Sequence, residues 1–462
     1  MRKTFAIALL ATLASIPLAA QDPDFGAAAD EAVVLLQSMI RINSSSPPGN
    51  ETEVCQFIRD VLAAEGIDSK IYELEPGRGN LVARIRGNGS KRPILLMGHI
   101  DVVGVERDQW SVDPFAGLIR DGYIWGRGSQ DDKGMSASAL QVFLMIARSG
   151  VELDRDVIYM ANAGEEAMPP LGIEFMIAEH FDVIDAEFAL NEGGGMTMVG
   201  DEITRVTIAT TEKVATRMRL IARGTSGHGS RPRPDNPIVA LSRAVAKFGS
   251  WQMPMRLNST TREYFRRVAE VSSPETAFLY RNLENPAISD VVQEQLRLTD
   301  ISANSMLRTS ISPTIIEGGF RRNVIPAEAI ATLDIRALPA EDTLWLKAEV
   351  ERVVDDESIE VVRFGPRRPV SEPMPIDSDL FRAIESVQAE MFPGAITVPT
   401  MLTGGTDSAQ LRAAGVLAYG MGLPSDAATG SRAHGNDERT PVAGVGIFVE
   451  FLYKTVIEVA GG

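Results

Sequence analysis

The sequence of 462 residues contains only one cysteine and four histidines. The single cysteine, Cys55, excludes a disulfide bond within the chain. It lies in the stretch ETEVCQFIRDVLAAEG, in which apolar residues recur at helical spacing. We therefore predict that Cys55 is a buried helix residue and not a nucleophile.

Basic residues are also in short supply. The chain has 45 Lys and Arg against 62 Asp and Glu, which gives a formal net charge of −17 at pH 7. Because phosphate groups are bound by basic surfaces, this charge argues against nucleic acid as a partner. A G-x-G-x-x-G turn between a strand and a helix is missing too, which argues against a dinucleotide-dependent oxidoreductase.

Long apolar stretches do not occur after the first twenty residues. Residues 1–20 combine a basic start with the apolar stretch TFAIALLATLASIPLAA, which ends in small residues. This is the pattern of a secretory signal peptide, and its apolar core is short for a membrane anchor. We predict cleavage near Ala20, export to the periplasm or the medium, and no stable membrane span in the mature protein.

The rest of the chain alternates between short apolar strands and amphipathic helices. This alternation predicts an α/β fold, with a mostly parallel sheet flanked by helices. From about residue 207 the strands become half-exposed, which indicates an inserted α+β domain. The predicted domains are 21–206 and 338–462 for the two parts of the catalytic domain and 207–337 for the insert. Residues 251–310 have no clear period, and we interpret them as helices and loops of the insert.

Three of the four histidines lie in glycine-flanked, turn-like contexts. They are His99 in MGHID, His228 in TSGHGSRP and His434 in RAHGNDERTP. A single histidine of this kind is more often structural. Loops that follow strands are where α/β proteins place their functional sites, so three such histidines favour a site.

Acidic residues occur in the same kind of position. Asp131 and Asp132 lie in GRGSQDDKG, Glu165 and Glu166 follow an apolar strand in ANAGEEAM, and Glu192 follows another in NEGGG. One such acid would be a solvated turn or a helix cap. Several carboxylates are costly to hold together unless a cation neutralises them. Carboxylates combined with imidazole favour zinc or a related transition metal over calcium.

The spacing within HID separates two roles. Residues i and i+2 of a strand point to the same side, so Asp101 can hydrogen-bond the ring of His99. An acid that fixes the tautomer of a metal-bound histidine is the usual arrangement behind such a ligand. We predict that Asp101 orients His99 and is not itself a ligand.

Eight motifs occur in an order that resembles one known family. They are GHIDVV, GRGSQDDKG, GEEA, NEGGG, SGHGSRP, NVIP, GGTDSAQLRAAG and AHGNDERTP. The sequence resembles the zinc aminoacylase and carboxypeptidase family. That family includes glutamate carboxypeptidase, aminoacylase, acetylornithine deacetylase and succinyl-diaminopimelate desuccinylase. The resemblance covers nearly all of the chain beyond residue 20.

The resemblance implies a ligand set for two zinc ions, with cobalt or manganese as substitutes. Asp131 would bridge the two ions. His99 and Glu192 would complete the ligand set of one ion, and Glu166 and His434 would complete that of the other. The family pattern also implies a cis peptide bond after Asp131.

The resemblance further implies the groups that act on the substrate. Glu165 matches the general base, which takes a proton from the metal-held water and delivers it to the leaving amine. His228, in the insert, would stabilise the oxyanion, often from the partner subunit of a dimer. A homodimer through the inserted domain is therefore expected.

Five further positions are implied to contact substrate. Arg336 and Asn323 would bind its free carboxylate and nearby polar groups, because a guanidinium forks onto a carboxylate in two bonds. The alternative, that Arg336 is a solvated strand residue, stays open. Gly404, Gly405 and Thr406 fit a backbone turn that approaches the substrate closely.

The expected function is a dinuclear zinc carboxypeptidase that releases a C-terminal amino acid from a small peptide. An N-acyl amino acid amidohydrolase is a close alternative, and an aminopeptidase is less favoured because Arg336 calls for a substrate carboxylate. A non-catalytic binding protein on the same fold is the alternative from another class.

Overall fold

The computed structural model describes residues 23–339, 341–365, 368–430 and 432–461, so the predicted signal peptide lies outside the described residues. Within these ranges no helix combines the length and the apolarity needed to cross a bilayer. The elements of the first part of the chain are, in order, α1 (Phe25–Arg41), α2 (Glu51–Ala64), β1 (Ser69–Glu73), β2 (Gly79–Ile85), β3 (Ile94–His99), β4 (Leu118–Arg120), β5 (Tyr123–Trp125), α3 (Lys133–Ser149), β6 (Val157–Asn162), α4 (Ile173–Ile184), β7 (Phe188–Asn191), β8 (Gly195–Val199) and β9 (Glu202–Glu212).

The second part of the chain contains the small sheet and the return to the large one. Its elements are, in order, β10 (Val214–Arg223), β11 (Gly227–His228), α5 (Pro237–Ser250), α6 (Ser259–Val271), α7 (Pro274–Arg281), α8 (Ser289–Thr299), α9 (Ile301–Met306), β12 (Ser310–Gly318), β13 (Val324–Ile325), β14 (Glu328–Ala337), α10 (Thr343–Val354), β15 (Ile359–Phe364), α11 (Asp379–Met391), β16 (Ile396–Leu402), α12 (Ser408–Ala413), β17 (Leu417–Gly420), β18 (Pro424–Ser425), β19 (Arg439–Pro441) and α13 (Val442–Ala460).

A ten-stranded sheet forms the centre of the molecule. Its order is β1-β2-β6-β3-β7-β17-β9-β8-β18, with β16 pairing to β9. The central strands β6, β3, β7 and β17 are parallel to one another. They are buried on both faces because α1, α2, α3, α11 and α13 pack on one side and α4 and α12 on the other. The predicted fold class, an α/β sheet flanked by helices, is confirmed.

Three neighbouring strands of this sheet bring the predicted site residues to one edge. β3 ends at His99 and lies between β6 and β7, both parallel to it. Glu165 and Glu166 follow the end of β6, and Glu192 follows the end of β7. Because parallel strands end on the same side of a sheet, these side chains meet although they are far apart in sequence. The turn that carries Asp131 precedes α3 beside them.

A separate four-stranded antiparallel sheet has the order β12-β14-β10-β15, with α5 and α10 on one face. The strands of this sheet do not all lie within the range 207–337 predicted for the insert. β9, up to Glu212, belongs to the large sheet, whereas β15 pairs with β10 although it lies beyond Ala337. The small sheet thus includes a strand on each side of α10, β14 before it and β15 after it.

The helices α6 to α9 also differ from the prediction for 251–310. Phe265 on α6 and Leu296 on α8 share an apolar cluster with Val398 and Met401 of β16. These helices therefore cover the large sheet as well as extending the insert. Cys55 is fully buried on α2, as predicted.

Candidate active site

His99 forms the centre of a cluster of acidic side chains. Its ring is buried, with 1% of the residue exposed. Its Nε2 lies 2.9 Å from Oδ1 of Asp131 and 3.9 Å from Oε1 of Glu192. Two carboxylates from different parts of the chain thus approach one imidazole nitrogen.

Asp131 connects this group to a second one. Its other oxygen, Oδ2, lies 3.1 Å from Nε2 of His434, and Oε2 of Glu166 lies 3.0 Å from the same nitrogen. One carboxylate therefore contacts both histidines through different oxygens. The peptide bond between Asp131 and Asp132 is cis, as the resemblance implied.

Asp132 is a further candidate ligand that the sequence interpretation did not assign. Its carboxylate forms one group with His99 and Glu192, and Asp131, His99 and Glu166 form another, with ligand atoms in each group within 4.8 Å of one another. Asp132 Oδ2 is buried and has no hydrogen-bond partner in the described part of the chain. It was overlooked because the family pattern gives the bridging role to its neighbour.

The electrostatics of the cluster suit a cation. Burial raises the pKa of Glu192 and Asp132 well above their usual values, and the charges of neighbouring acids add to this rise. The carboxylates of Asp131 and Glu166 raise the pKa of His434 to about 10. Glu166 Oε1 is buried without a described partner. Imidazole and carboxylate donors with unused oxygens fit zinc or a similar metal.

Asp101 lies behind this cluster and is completely buried. Its backbone carbonyl oxygen lies 2.9 Å from His99 Nδ1, closer than its carboxylate Oδ1 at 3.5 Å. The carboxylate accepts hydrogen bonds from the backbone N–H groups of Glu165 at 3.1 Å and Glu166 at 3.2 Å. The prediction expected a direct carboxylate–ring bond on a strand, but β3 ends at His99. Asp101 therefore connects the histidine to the loop that carries both glutamates.

Glu165 is buried beside the cluster and forms an ion pair that the sequence did not reveal. Its Oε1 accepts a 2.6 Å bond from Nη2 of Arg368, which lies 203 residues away in the chain. Burial raises the pKa of Glu165, and the charges of His99 and Arg368 work against this rise. A raised pKa suits a carboxyl group that takes up a proton and gives it back.

Glu438 was also missed, although it lies inside the quoted motif AHGNDERTP. It is fully buried and forms an ion pair with Arg127. Its carboxylate also accepts backbone N–H bonds from Gln130 at 2.8 Å and Asp131 at 3.2 Å. These bonds hold the turn that presents the bridging carboxylate. Only the fold shows this role, since the partners are about 300 residues apart.

His228 and Asn323 lie together on the small domain. The two-residue strands β11 and β13 pair His228 with Val324, and the N–H of Gly229 donates to the Asn323 carbonyl at 2.8 Å. His228 is exposed, and its Nδ1 lies 2.7 Å from Oγ of Ser230. Among the described residues, no hydrogen bond or ion pair joins either side chain to the acidic cluster.

Arg336 lies on β14 and is half-buried. Its guanidinium forks onto Asp334, with bonds of 2.9 and 3.2 Å. The two residues are neighbours on the same side of the strand. The guanidinium of Arg336 thus has a protein partner, and no hydrogen bond or ion pair joins it to the cluster in the part of the chain that the structure describes.

The turn at 404–406 follows β16. Thr406 is buried, and its N–H and hydroxyl both donate to the carboxylate of Glu212, at 3.0 and 2.9 Å. A Cβ on Gly405 would lie 3.1 Å from Cδ of Arg368, whereas one on Gly404 would meet nothing closer than 3.9 Å. The turn therefore approaches Arg368 closely at Gly405, and the polar groups of Thr406 already have a protein partner.

The sequence matches one family of known proteins. Residues 95–458 match the family model described as peptidase family M20/M25/M40. The chain is 30% identical over 388 residues to probable carboxypeptidase S-like 2 of Dictyostelium discoideum, covering 79% of this chain and 72% of that one. It is 26% identical over 442 residues to aminoacylase-1 of Sus scrofa, covering 91% and 94%. It is 27% identical to the human N-fatty-acyl-amino acid synthase/hydrolase PM20D1, covering 79% and 74%.

Solved structures show the same fold at lower identity. The M20 family metallo-carboxypeptidase Sso-CP2 from Sulfolobus solfataricus superposes with a TM-score of 0.68 at 19% identity, covering 93% of this chain and 100% of that one. The YXEP protein of Bacillus subtilis, described as a dinuclear metal binding peptidase, gives a TM-score of 0.61 at 15% identity, covering 94% and 98%.

Proposed function

We propose that this chain, which belongs to peptidase family M20/M25/M40 and is a hydrolase of amide or peptide bonds, is a dinuclear zinc carboxypeptidase. Its substrate would be a small peptide from which it releases the C-terminal amino acid. The observation that carries the proposal is the position of Asp131, whose two carboxylate oxygens each contact a different histidine. A carboxylate in this position suits a bridge between two metals.

The proposed ligands divide into two groups around that bridge. His99 and Glu192 would complete the ligand set of one metal, with Asp132 as a close neighbour. Glu166 and His434 would complete the ligand set of the other metal. Two bound metals would supply a hydroxide near neutral pH and would polarise the scissile carbonyl.

The chain's own residues would then handle the proton. Glu165 takes a proton from the attacking water at its carboxylate and passes it to the leaving amine. Asp101 holds Glu165 in place through the backbone N–H bond at residue 165. In this structure His228 is exposed, and no bond joins it to the cluster among the described residues. It would reach the oxyanion after the small domain closes, or from a partner subunit.

An N-acyl amino acid amidohydrolase is the second candidate. The relatives named aminoacylase-1 and N-fatty-acyl-amino acid synthase/hydrolase PM20D1 favour it. Both candidates break an amide bond next to an amino acid with a free carboxylate. We place carboxypeptidase first because the apolar start of the sequence suggests export, and peptides are substrates available outside the cytoplasm.

We also propose a homodimer through the small domain. β12 is an edge strand of the small sheet, and it is exposed along most of its length. Ile315, Ile316 and Phe320 lie on or beside it with 53–77% of each residue exposed. Apolar residues on an unpaired edge favour pairing with a second copy.

One experiment tests the function directly. The purified protein is freed of metal and incubated with zinc, cobalt or manganese and a panel of dipeptides and N-acyl amino acids. We expect chelator-sensitive release of the C-terminal amino acid, and Glu165→Gln should keep its metal while losing about 10²–10⁴-fold in rate. Preference for N-acyl amino acids over all peptides would select the second candidate. Absence of metal uptake and of turnover would favour a non-catalytic binding protein.

A further inference from the structure

Arg368 forms an ion pair with Glu165, the proposed general base. It lies in the segment between β15 and α11, and its side chain is only 19% exposed. Its Nη2 donates to Oε1 of Glu165 at 2.6 Å. The other terminal nitrogen, Nη1, is buried and has no hydrogen-bond partner in the part of the chain that the structure describes. One side of the guanidinium fork is therefore used, and the other is not.

The surroundings of Arg368 hold the guanidinium at this point. A Cβ on Gly405 would lie 3.1 Å from Cδ and 3.3 Å from Nε of Arg368, so a glycine lets the arginine pass close to the backbone. The carboxyl group of Asp407 lies nearby and interacts electrostatically with Arg368. Asn162, at the end of β6, donates a hydrogen bond to Asp407, whose Oδ1 has no partner among the described residues. The cation is thus positioned by charge and by shape, not by a complete set of bonds.

This arrangement has a consequence for Glu165. While Oε1 of Glu165 accepts a bond from Arg368, the guanidinium competes with the attacking water for that oxygen. A buried donor without a partner is unfavourable, so the unpaired Nη1 also favours the arrival of an acceptor. A planar acid group satisfies two guanidinium donors at once.

We propose that Arg368 binds the free carboxylate of the substrate and that this contact replaces its ion pair with Glu165. Substrate binding then both anchors the C-terminal acid and releases the base. The inference rests on the proposed function and deepens it, because it makes a free carboxylate a requirement for turnover. It assigns to Arg368 the specificity that the sequence suggested for Arg336, which in this structure already forks onto Asp334.

The test compares two substrates in the same protein sample. One is an N-acyl amino acid or dipeptide with a free carboxylate, and the other is the same compound with a C-terminal amide. The measured quantity is the ratio of kcat/KM for the acid to kcat/KM for the amide, which does not depend on the fraction of folded enzyme. We expect Arg368→Gln to lower this ratio by about 10- to 100-fold, the range for a charge-assisted bond. Arg368→Lys should restore part of it, because it keeps the charge without the fork.

Two controls separate the alternatives. Arg297→Gln changes an arginine on α8 that pairs only with Glu294 in the described residues, and it should leave the ratio unchanged. Arg336→Ala tests the competing anchor. An unchanged ratio in Arg368→Gln, or a loss found only in Arg336→Ala, would overturn the inference while leaving the hydrolase intact.

A binding measurement decides the case in which no compound is cleaved. That result would remove the proposed function, and the inference would then rest on calorimetry with the same acid and amide. Tighter binding of the acid by wild type, lost in Arg368→Gln, would support Arg368 as a carboxylate site. Equal binding of the acid to both proteins would contradict it.

Discussion

Lys213 lies between β9 and β10, where the chain leaves the large sheet and enters the small one. It is 1% exposed, and its Nζ donates to Oγ of Ser305 and Oγ of Ser310, both at 3.2 Å. Burial lowers its pKa from 10.5 to about 7, although the charge of Glu341 works against this shift. We predict that Lys213→Met changes how the free energy of unfolding depends on pH.

The sign and size follow from proton linkage. Between pH 7 and about 10.5 the unfolded chain holds a proton on Lys213 that the folded protein lacks, so the stability of wild type rises with pH relative to the variant. One proton gives a slope of at most about 1.4 kcal/mol per pH unit. With half protonation near pH 7, the expected gain between pH 7 and pH 9 is about 2 kcal/mol. Below about pH 7 Lys213 is protonated in both the folded and the unfolded chain, so the cost of burying its charge is fully present and Lys213→Met has its largest relative advantage.

Urea unfolding at pH 7, 8 and 9 measures this difference. The two serine hydroxyls lose a partner in the variant, but that cost is the same at every pH. Lys347→Met, on a half-exposed residue of α10, is the matched control and should give a curve parallel to wild type. If the free energies of unfolding of Lys213→Met and wild type change in parallel between pH 7 and pH 9, Lys213 does not have a lowered pKa in the folded protein.

Three further predictions concern other parts of the molecule. Glu438→Ala removes the acceptor for Arg127 and for the N–H of Asp131, and should weaken metal binding by about 10- to 100-fold in a metal titration; unchanged affinity would contradict its positioning role. Cys55 is fully buried, and burial raises the pKa of its thiol, so a thiol reagent should label it only after unfolding. Rapid labelling of the native protein would contradict the burial of Cys55 on α2. Ile316→Glu places a charge on the exposed edge of β12 and should shift sedimentation from dimer to monomer, whereas a dimer that survives the change would place the contact elsewhere.

The parts of the fold that follow from local pattern could be predicted from the sequence. The apolar strands that end at His99 and before Glu165 and Glu192 are visible as short apolar stretches, and the rule for parallel strands brings their ends together. The buried position of Cys55 follows from helical spacing. Each of these inferences needs only neighbours in sequence.

The parts that depend on distant pairing could not be predicted. β15 looks like any short strand, and only its pairing with β10 assigns it to the small sheet. Arg368 lies in GPRRPVSEP, where nothing marks one arginine as a partner of Glu165. Thr406 stands in a glycine-rich turn that suggests substrate contact, but its bonds to Glu212 arise from a strand almost 200 residues earlier.

The number of metal ions bound per chain tests the proposed dinuclear site most directly. Metal-free wild type and Asp131→Asn are titrated with zinc by calorimetry, and the bound metal is counted after dialysis. We expect two zinc ions per wild-type chain and fewer than one tightly bound ion in the variant, because Asp131 contacts both His99 and His434. One zinc ion or none in wild type, or two retained in Asp131→Asn, would contradict it.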